Sequence, residues 1–143
     1  MTIKTEMLKT LKKQKCLDDI QLLDNKKKIA GDWFANLRDE ICASFEKIEN
    51  NRSTNNKNIN FNKKKWERNG GGGGVISVMK GNVFEKVGVN ISTVYGEFSK
   101  EFRGQIPGAE ENGKFWASGI SVVSHMCNPY VPAAHMNTRL LVT

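Results

Sequence analysis

Short runs of alternating apolar and polar residues fill the second half of the chain, without a crossover-helix pattern between them. The clearest run is Val83–Tyr95, which carries a glycine in its middle. Residues 75–79, 115–124 and 137–143 are three further candidate strands. Strands joined without crossover helices pair antiparallel. The pattern therefore predicts an α+β fold in which these four strands are neighbours in one antiparallel sheet.

One helix precedes the candidate strands. Apolar residues recur there at steps of mostly three and four, the spacing of a single helix face. They are Ile29, Phe34, Leu37, Ile41, Phe45 and Ile48. This spacing predicts a helix over residues 28–49 that covers one face of the sheet. Residues 1–27 hold only short apolar patches among lysines and are interpreted as an N-terminal extension or a frayed helix.

Two low-complexity segments separate the helix from the strands. Residues 50–62 are rich in asparagine and offer little to bury, so they predict a loop or linker. Gly70 to Gly74 are five consecutive glycines. Their backbone amides could wrap an anion, but no Gly-Lys-Ser/Thr sequence follows and the next element has a strand pattern. On composition alone the run indicates a flexible hinge.

Composition limits the classes of function. The net charge is +7, and the excess of lysine lies in the first half, mixed with aspartate and without a nucleic-acid recognition motif. A solvated lysine-rich surface is therefore preferred to nucleic-acid binding. Three cysteines without CxxC spacing argue against a disulfide framework and a structural zinc site. Lacking a signal-like or membrane-length apolar stretch, the sequence indicates a cytoplasmic protein without an integral membrane segment.

Both histidines of the chain, His125 and His135, lie at the ends of two candidate strands, with a proline-punctuated loop between them. Imidazoles so placed can converge as metal ligands or as an acid/base pair, but on the residues alone a separate structural role for each histidine is the preferred interpretation. The side chain of Arg139 either extends from its strand into solvent or binds a carboxylate through its guanidinium group. Trp66 and Arg68 are open in the same way, as anchors or as parts of a site.

Three blocks of sequence together resemble the oxygen-dependent coproporphyrinogen III oxidase family. They are Trp66-Glu-Arg68-Asn followed by the five glycines, Gly81 to Ser92, and Gly119-Ile-Ser121 through Pro132 to His135-Met-Asn137-Thr-Arg139. Their order and spacing match the family. The helix Trp33 to Glu46 is similar to the family's first helix, so the resemblance covers about residue 29 to the end.

This resemblance implies a fold, a reaction and a set of roles. The fold is a broad antiparallel sheet flanked by helices, in a homodimer. The reaction converts coproporphyrinogen III to protoporphyrinogen IX with O2 as oxidant, without an organic cofactor and with at most a divalent metal cation. It implies His135 as the proton donor, His125 and His135 as metal ligands, and a substrate-binding group. That group comprises Ser121, Asn137, Thr138 and Arg139.

The chain has about half the length that the resemblance leads us to expect. Residues 28–143 are therefore interpreted as the N-terminal part of a coproporphyrinogen III oxidase-like domain, an incomplete sheet sandwich. The remaining strands and further site residues are expected beyond Thr143. Two functions remain open: an oxidase of haem biosynthesis, or an inactive truncated remnant that at most binds the porphyrinogen.

Overall fold

The computed structural model describes residues 3–51 and 58–143, and it consists of one long helix and a five-stranded sheet. The helix α1 spans Ile3–Asn50. The strands are β1 (Asn62–Glu67), β2 (Gly72–Met79), β3 (Phe84–Glu97), β4 (Lys114–Met126) and β5 (Ala134–Val142), with a short helix α2 (Lys100–Arg103) between β3 and β4. The strand order is β1-β2-β3-β4-β5 and every pairing is antiparallel. The predicted α+β class and antiparallel sheet are confirmed.

Helix α1 covers one face of the sheet, as the sequence predicts. Strand alternation sends Val87, Val89, Ile120 and Val122 to that face, where they form a core with Phe34 and other residues of the helix. The predicted helix over residues 28–49 is confirmed, but α1 begins earlier, and the part of the extension from Ile3 to residue 27 is helical.

The loop predicted between the helix and the sheet is shorter than expected, because Asn62 already belongs to β1. Its residues 52–57 lie outside the described part of the chain. Two helix side chains hold the loop's end: Asn50 accepts the N–H of Ile59 at 2.8 Å and donates to its carbonyl, and Glu46 accepts the N–H of Phe61. These bonds fix where β1 enters the sheet.

The prediction of a glycine hinge is wrong. Gly72, Gly73 and Gly74 are the first residues of β2; all three pair with β3, and Gly73 and Gly74 also pair with β1. A side chain at Gly73 would meet the carbonyl oxygen of Trp66, and one at Gly74 would meet that of Ile91. The glycines therefore allow three backbones to approach closely, and the run builds sheet instead of a flexible connection.

The end of α1 is joined to the β2–β3 turn through a buried carboxylate. Glu49 is fully buried. Its two oxygens accept the backbone N–H groups of Asn82, Val83 and Phe84 at distances from 2.6 to 3.2 Å. A charge removed from water in this way is compensated by hydrogen bonds from the turn. This contact sets the position of β3 relative to the helix.

Candidate functional site

The site is built on the sheet face that points away from α1, called the open face below. Because side chains alternate along a strand, every second residue of β3, β4 and β5 lies on this face. Antiparallel register then aligns these residues in rows across the sheet. The candidate site residues fall into three adjacent rows and one shorter row at the end of the sheet.

The central row is polar. Asn90 of β3 lies opposite Ser121 of β4, and Ser121 lies opposite Asn137 of β5. The hydroxyl and amide groups of these side chains form one row across the three strands. Hydroxyl and amide groups can both donate and accept hydrogen bonds, so the row suits a ligand with polar substituents.

One row away lies Arg139, opposite Gly119, which in turn lies opposite Ser92. Arg139 is exposed. Ser121, Asn137, Thr138 and Arg139 all line one cavity of about 290 Å³ whose wall also includes Trp66 and Asn90. The alternation sends the side chain of Thr138 toward the opposite face, so Thr138 contributes backbone here.

On the other side of the central row, Val123 lies opposite His135, and His125 follows on β4, opposite Lys86. The Nε2 atoms of His125 and His135 lie 3.1 Å apart, and the two rings are stacked. One Nε2 must carry a hydrogen and the other a lone pair for this contact to be a hydrogen bond. The two histidines therefore converge, which is one of the two alternatives that the sequence leaves open, and both are exposed.

The candidate site residues line two cavities and not one. His125 lines a second cavity of about 410 Å³, together with Glu85, Lys86 and Val123. Ser121 and Arg139 line the first cavity. The two cavities lie side by side on the open face, and Asn90 lines both of them. Two cavities form because the central row, to which Asn90 belongs, lies between the row of Val123 and the row of Arg139.

The described residues offer only part of a metal site. Two imidazole nitrogens in a tetrahedral zinc site are each about 2.0–2.1 Å from the metal, which places them a little over 3 Å apart. The pair His125 and His135 fits this spacing at 3.1 Å. Within residues 3–51 and 58–143, no group of three or more His, Cys, Asp or Glu residues could hold a metal ion. The pair therefore provides two ligands, and other ligands would have to complete the site.

Trp66 and Arg68 have different roles in the structure. Trp66 of β1 lies opposite Gly74 and lines the first cavity. Its indole occupies the space that a side chain at Gly74 would take. Arg68 donates a hydrogen bond to the carbonyl of Tyr95 at 3.0 Å, and its guanidinium lies 5.7 Å from the centre of the Phe115 ring. Trp66 thus forms part of the candidate site, whereas Arg68 stabilises the end of the sheet.

Sequence reasoning missed Asn90 and Ser92. Both lie in the run Val83–Tyr95, which was recognised as a strand. The signal was available, since Asn90 and Ser92 alternate with the apolar Val89 and Ile91. Polar side chains on the second face of a strand are usually solvated, and nothing in this run alone distinguished them from such a surface.

Comparison with known proteins agrees with this geometry. The family model described as coproporphyrinogen III oxidase matches residues 30–143. The chain is 59% identical over 123 residues to an oxygen-dependent coproporphyrinogen-III oxidase of Rickettsia bellii, which covers 83% of this chain and 44% of that protein. Proteins of the same name from Rickettsia felis and Rickettsia akari are each 58% identical over 119 residues, and the match covers 43% of each.

The chain thus spans less than half the length of these curated relatives. The match nevertheless includes the helix, all five strands and every candidate site residue of the open face, apart from the N-terminal part of α1. Among the described helices, none is long and apolar enough to cross a membrane. A family match over most of the chain and close relatives of one name lead to one conclusion: the chain belongs to the coproporphyrinogen III oxidase family.

Proposed function

We propose that the open face binds coproporphyrinogen III, and that the chain acts as the substrate-binding part of an oxygen-dependent oxidase of haem biosynthesis. The observation that carries this proposal is the placement of Ser121, Asn137 and Arg139 around one cavity. The substrate carries four carboxylates, and a guanidinium binds a carboxylate through two parallel hydrogen bonds. Arg139 is the cation expected to bind one propionate.

The shape of the open face also suits a broad tetrapyrrole. Gly88 and Gly119 lie on this face and leave a low floor between the flanking side chains, and the indole of Trp66 covers Gly74. The two adjoining cavities, of about 290 and 410 Å³, are in the size range of small-molecule sites. A macrocycle that spans both would place one acidic substituent near Arg139 and another part of the ring near the histidines.

The reaction proposed for the family converts two propionates to vinyl groups. Each propionate loses CO2 and a hydride, the hydride from the side-chain carbon bonded to the pyrrole ring, and O2 accepts this hydride together with one further proton to give H2O2. Two turns of this step consume two O2. We assign His135 as the donor of the further proton, because it lies on the open face in the row next to Ser121 and Asn137.

A divalent cation at His125 and His135 is the second role proposed for this pair. An Nε2 that coordinates a cation carries no hydrogen, so His135 acts as the proton donor only while no cation is bound. Such an ion would supply Lewis-acid charge near the substrate carboxylates. The contribution of this chain would be two imidazoles already at ligand spacing. No organic cofactor is invoked.

The assembly and location follow from family resemblance. A homodimer is proposed on that ground, and sedimentation of the purified chain tests it. A cytoplasmic location is proposed on the same ground, and the three free cysteines, Cys16, Cys42 and Cys127, are compatible with a reducing compartment.

Substrate binding is tested with coproporphyrin III, the air-stable oxidised form of the substrate, which keeps all four carboxylates. We expect fluorescence titration of the purified chain to give saturable binding. Arg139→Gln should raise Kd about tenfold, since a charge-assisted bidentate contact is lost. Lys80→Gln, which removes an exposed charge between β2 and β3, is the matched control and should change Kd less than twofold. Equal effects of the two substitutions would contradict the proposal.

Turnover separates the two functions that the sequence leaves open. Arg139, Asn137 and both histidines are exposed, so the described residues do not enclose the reacting propionate. Rigid positioning and exclusion of water are needed for this chemistry. We therefore expect the 143-residue chain to bind the porphyrinogen without forming vinyl product under air. Turnover within tenfold of a full-length Rickettsia relative would show instead that this open face is sufficient.

A further inference from the structure

The ladder between β2 and β3 is interrupted in the middle of the sheet. Val75 pairs with Ile91, and the next pair is Val78 with Gly88, so the register is the same on both sides of the gap. At this gap the backbone N–H of Ser77 donates to the side-chain Oδ1 of Asn90 at 3.1 Å. A side chain of the open face thus takes part in the backbone ladder.

This bond fixes the orientation of the Asn90 amide. A backbone N–H can only donate, so the atom that it meets must be the carbonyl oxygen of the side chain. The nitrogen Nδ2 is therefore turned away from Ser77 with two hydrogens to donate. Gly88, two residues earlier on the same face, lies beside it: a Cβ at Gly88 would lie 3.5 Å from Nδ2, an ordinary van der Waals contact.

The position of Asn90 is as specific as its orientation. It lies opposite Ser121 and is the residue shared by the linings of the two adjoining cavities. A ligand that covers both cavities has to pass over its amide. The interrupted ladder gives this amide a fixed direction, which a freely rotating surface asparagine lacks.

We propose that Asn90 is a specificity-determining residue that donates a hydrogen bond to a propionate carboxylate of the bound tetrapyrrole. This inference rests on the proposed function. The macrocycle of a porphyrinogen offers four pyrrole N–H groups, which are donors, and its acceptors are the carboxylates. A group that can only donate toward the ligand must therefore meet a carboxylate. Arg139 and Asn90 then bind either two different propionates or the two oxygens of a single propionate.

The test is Asn90→Asp in the purified 143-residue chain, with coproporphyrin III as the probe. Aspartate keeps an oxygen acceptor for the N–H of Ser77, so the ladder contact is retained. It replaces the donating nitrogen by a negative oxygen, which repels a carboxylate. We expect Kd to rise at least tenfold. The control is Asn62→Asp, which makes the same change in charge on the open face of β1 and should alter Kd less than twofold.

The outcomes are distinguishable. Equal Kd values for the Asn90→Asp and Asn62→Asp chains, with a weakened Arg139→Gln chain, would overturn the role of Asn90 and leave the proposed function standing. An Arg139→Gln chain that binds as tightly as the unsubstituted chain, or no binding by the unsubstituted chain, would overturn the proposed function and this inference together. Amide hydrogen exchange at Ser77 reports whether the ladder is intact. If Asn90→Asp does not fold, Asn90→Ala with Asn62→Ala as control removes the donor without a change in charge and should also raise Kd.

Discussion

The carboxylate of Glu49 occupies the space that a side chain on Gly81 would need. Both oxygens of Glu49 and its Cδ atom are the nearest heavy atoms to the position of a Cβ at Gly81. The same oxygens accept the three consecutive amides that follow Gly81. The absence of a side chain at Gly81 is therefore a condition for the contact between α1 and the β2–β3 turn.

Gly81→Ala should destabilise the chain by about 2–3 kcal/mol, because the added methyl group would displace a buried carboxylate from its hydrogen bonds. Urea unfolding followed by circular dichroism measures the change. Gly31→Ala is the matched control: Gly31 lies in α1 with nothing within 4 Å of its Cβ position. That substitution should stabilise by about 0.5–1 kcal/mol, since alanine is the better helix former. A Gly81→Ala chain as stable as the unsubstituted one would contradict the contact.

The three cysteines should differ sharply in reactivity. Cys42 is buried, and its burial raises the pKa of the thiol to about 11. Cys16 and Cys127 are exposed. At pH 8 we expect a thiol-specific reagent to label two groups rapidly and the third only on unfolding, because the thiolate is the reacting species. Labelling of Cys42 at the rate of the other two in the native state would show that the core around Phe34 is open.

Asp39 should make a small contribution to stability that depends on pH. Hydrogen bonds from Arg38 and then Lys63 hold the pKa of its carboxyl below the usual value of 3.8. Because the folded pKa is depressed, the contribution is present above about pH 4 and is lost as the pH falls further. The side chain is half exposed, at 51%, so Asp39→Asn should cost only about 0.5 kcal/mol at pH 7.

Urea unfolding at pH 7 and near pH 3 measures this difference. The loss on Asp39→Asn should shrink at the lower pH and at high salt, which screens exposed charges. Asp19→Asn, the same change at an exposed position of α1, is the control. An effect of Asp39→Asn that stays constant between the two pH values would show that the carboxyl contributes through something other than its charge.

Removal of either histidine of the pair should abolish binding of a transition metal. Co²⁺ added to the purified chain should give a visible absorption spectrum if both imidazoles coordinate it. His125→Ala and His135→Ala should each lose this signal, because a single imidazole is a weak ligand. The fold should be unaffected, since both rings are exposed. Co²⁺ binding that survives both substitutions would place the metal elsewhere.

The parts of the fold that followed from sequence are those in which hydrophobic pattern and burial agree. Phe34 and Ile41 lie on a regular helical stripe, and Val87 and Val89 lie on a regular strand alternation; each packs into the core between α1 and the sheet. The burial of such residues can be inferred from their type, since a buried position requires an apolar side chain.

The misjudged segments carry a weaker pattern. β1 reads Asn-Lys-Lys-Lys-Trp-Glu and is exposed along almost its whole length, so no alternation marks it. The glycines of β2 have no side chains, so they cannot show the alternation of apolar and polar residues that marks a strand. Their place in the sheet depends on the close approach of Trp66 and Ile91 from the neighbouring strands. Contacts of this kind depend on residues far apart in sequence, which no local pattern contains.

The candidate site, like the fold, can be predicted from the sequence only in part. The alternation predicted that Asn137 and Arg139 share a face, as do Ser121 and Val123, and the register confirms this. The division into two cavities and the position of Asn90 between them depend on how β2, β3 and β4 are aligned.

The two outer strands of the sheet differ in a way that limits how copies of this chain could join. The edge of β1 carries three consecutive lysines, Lys63 to Lys65, whose charges oppose strand pairing. Within the described residues, β5 pairs with β4 alone, is almost entirely exposed and carries Arg139 as its one charged side chain. Strand pairing between copies is therefore opposed at the edge of β1, where two copies would bring rows of positive charge together.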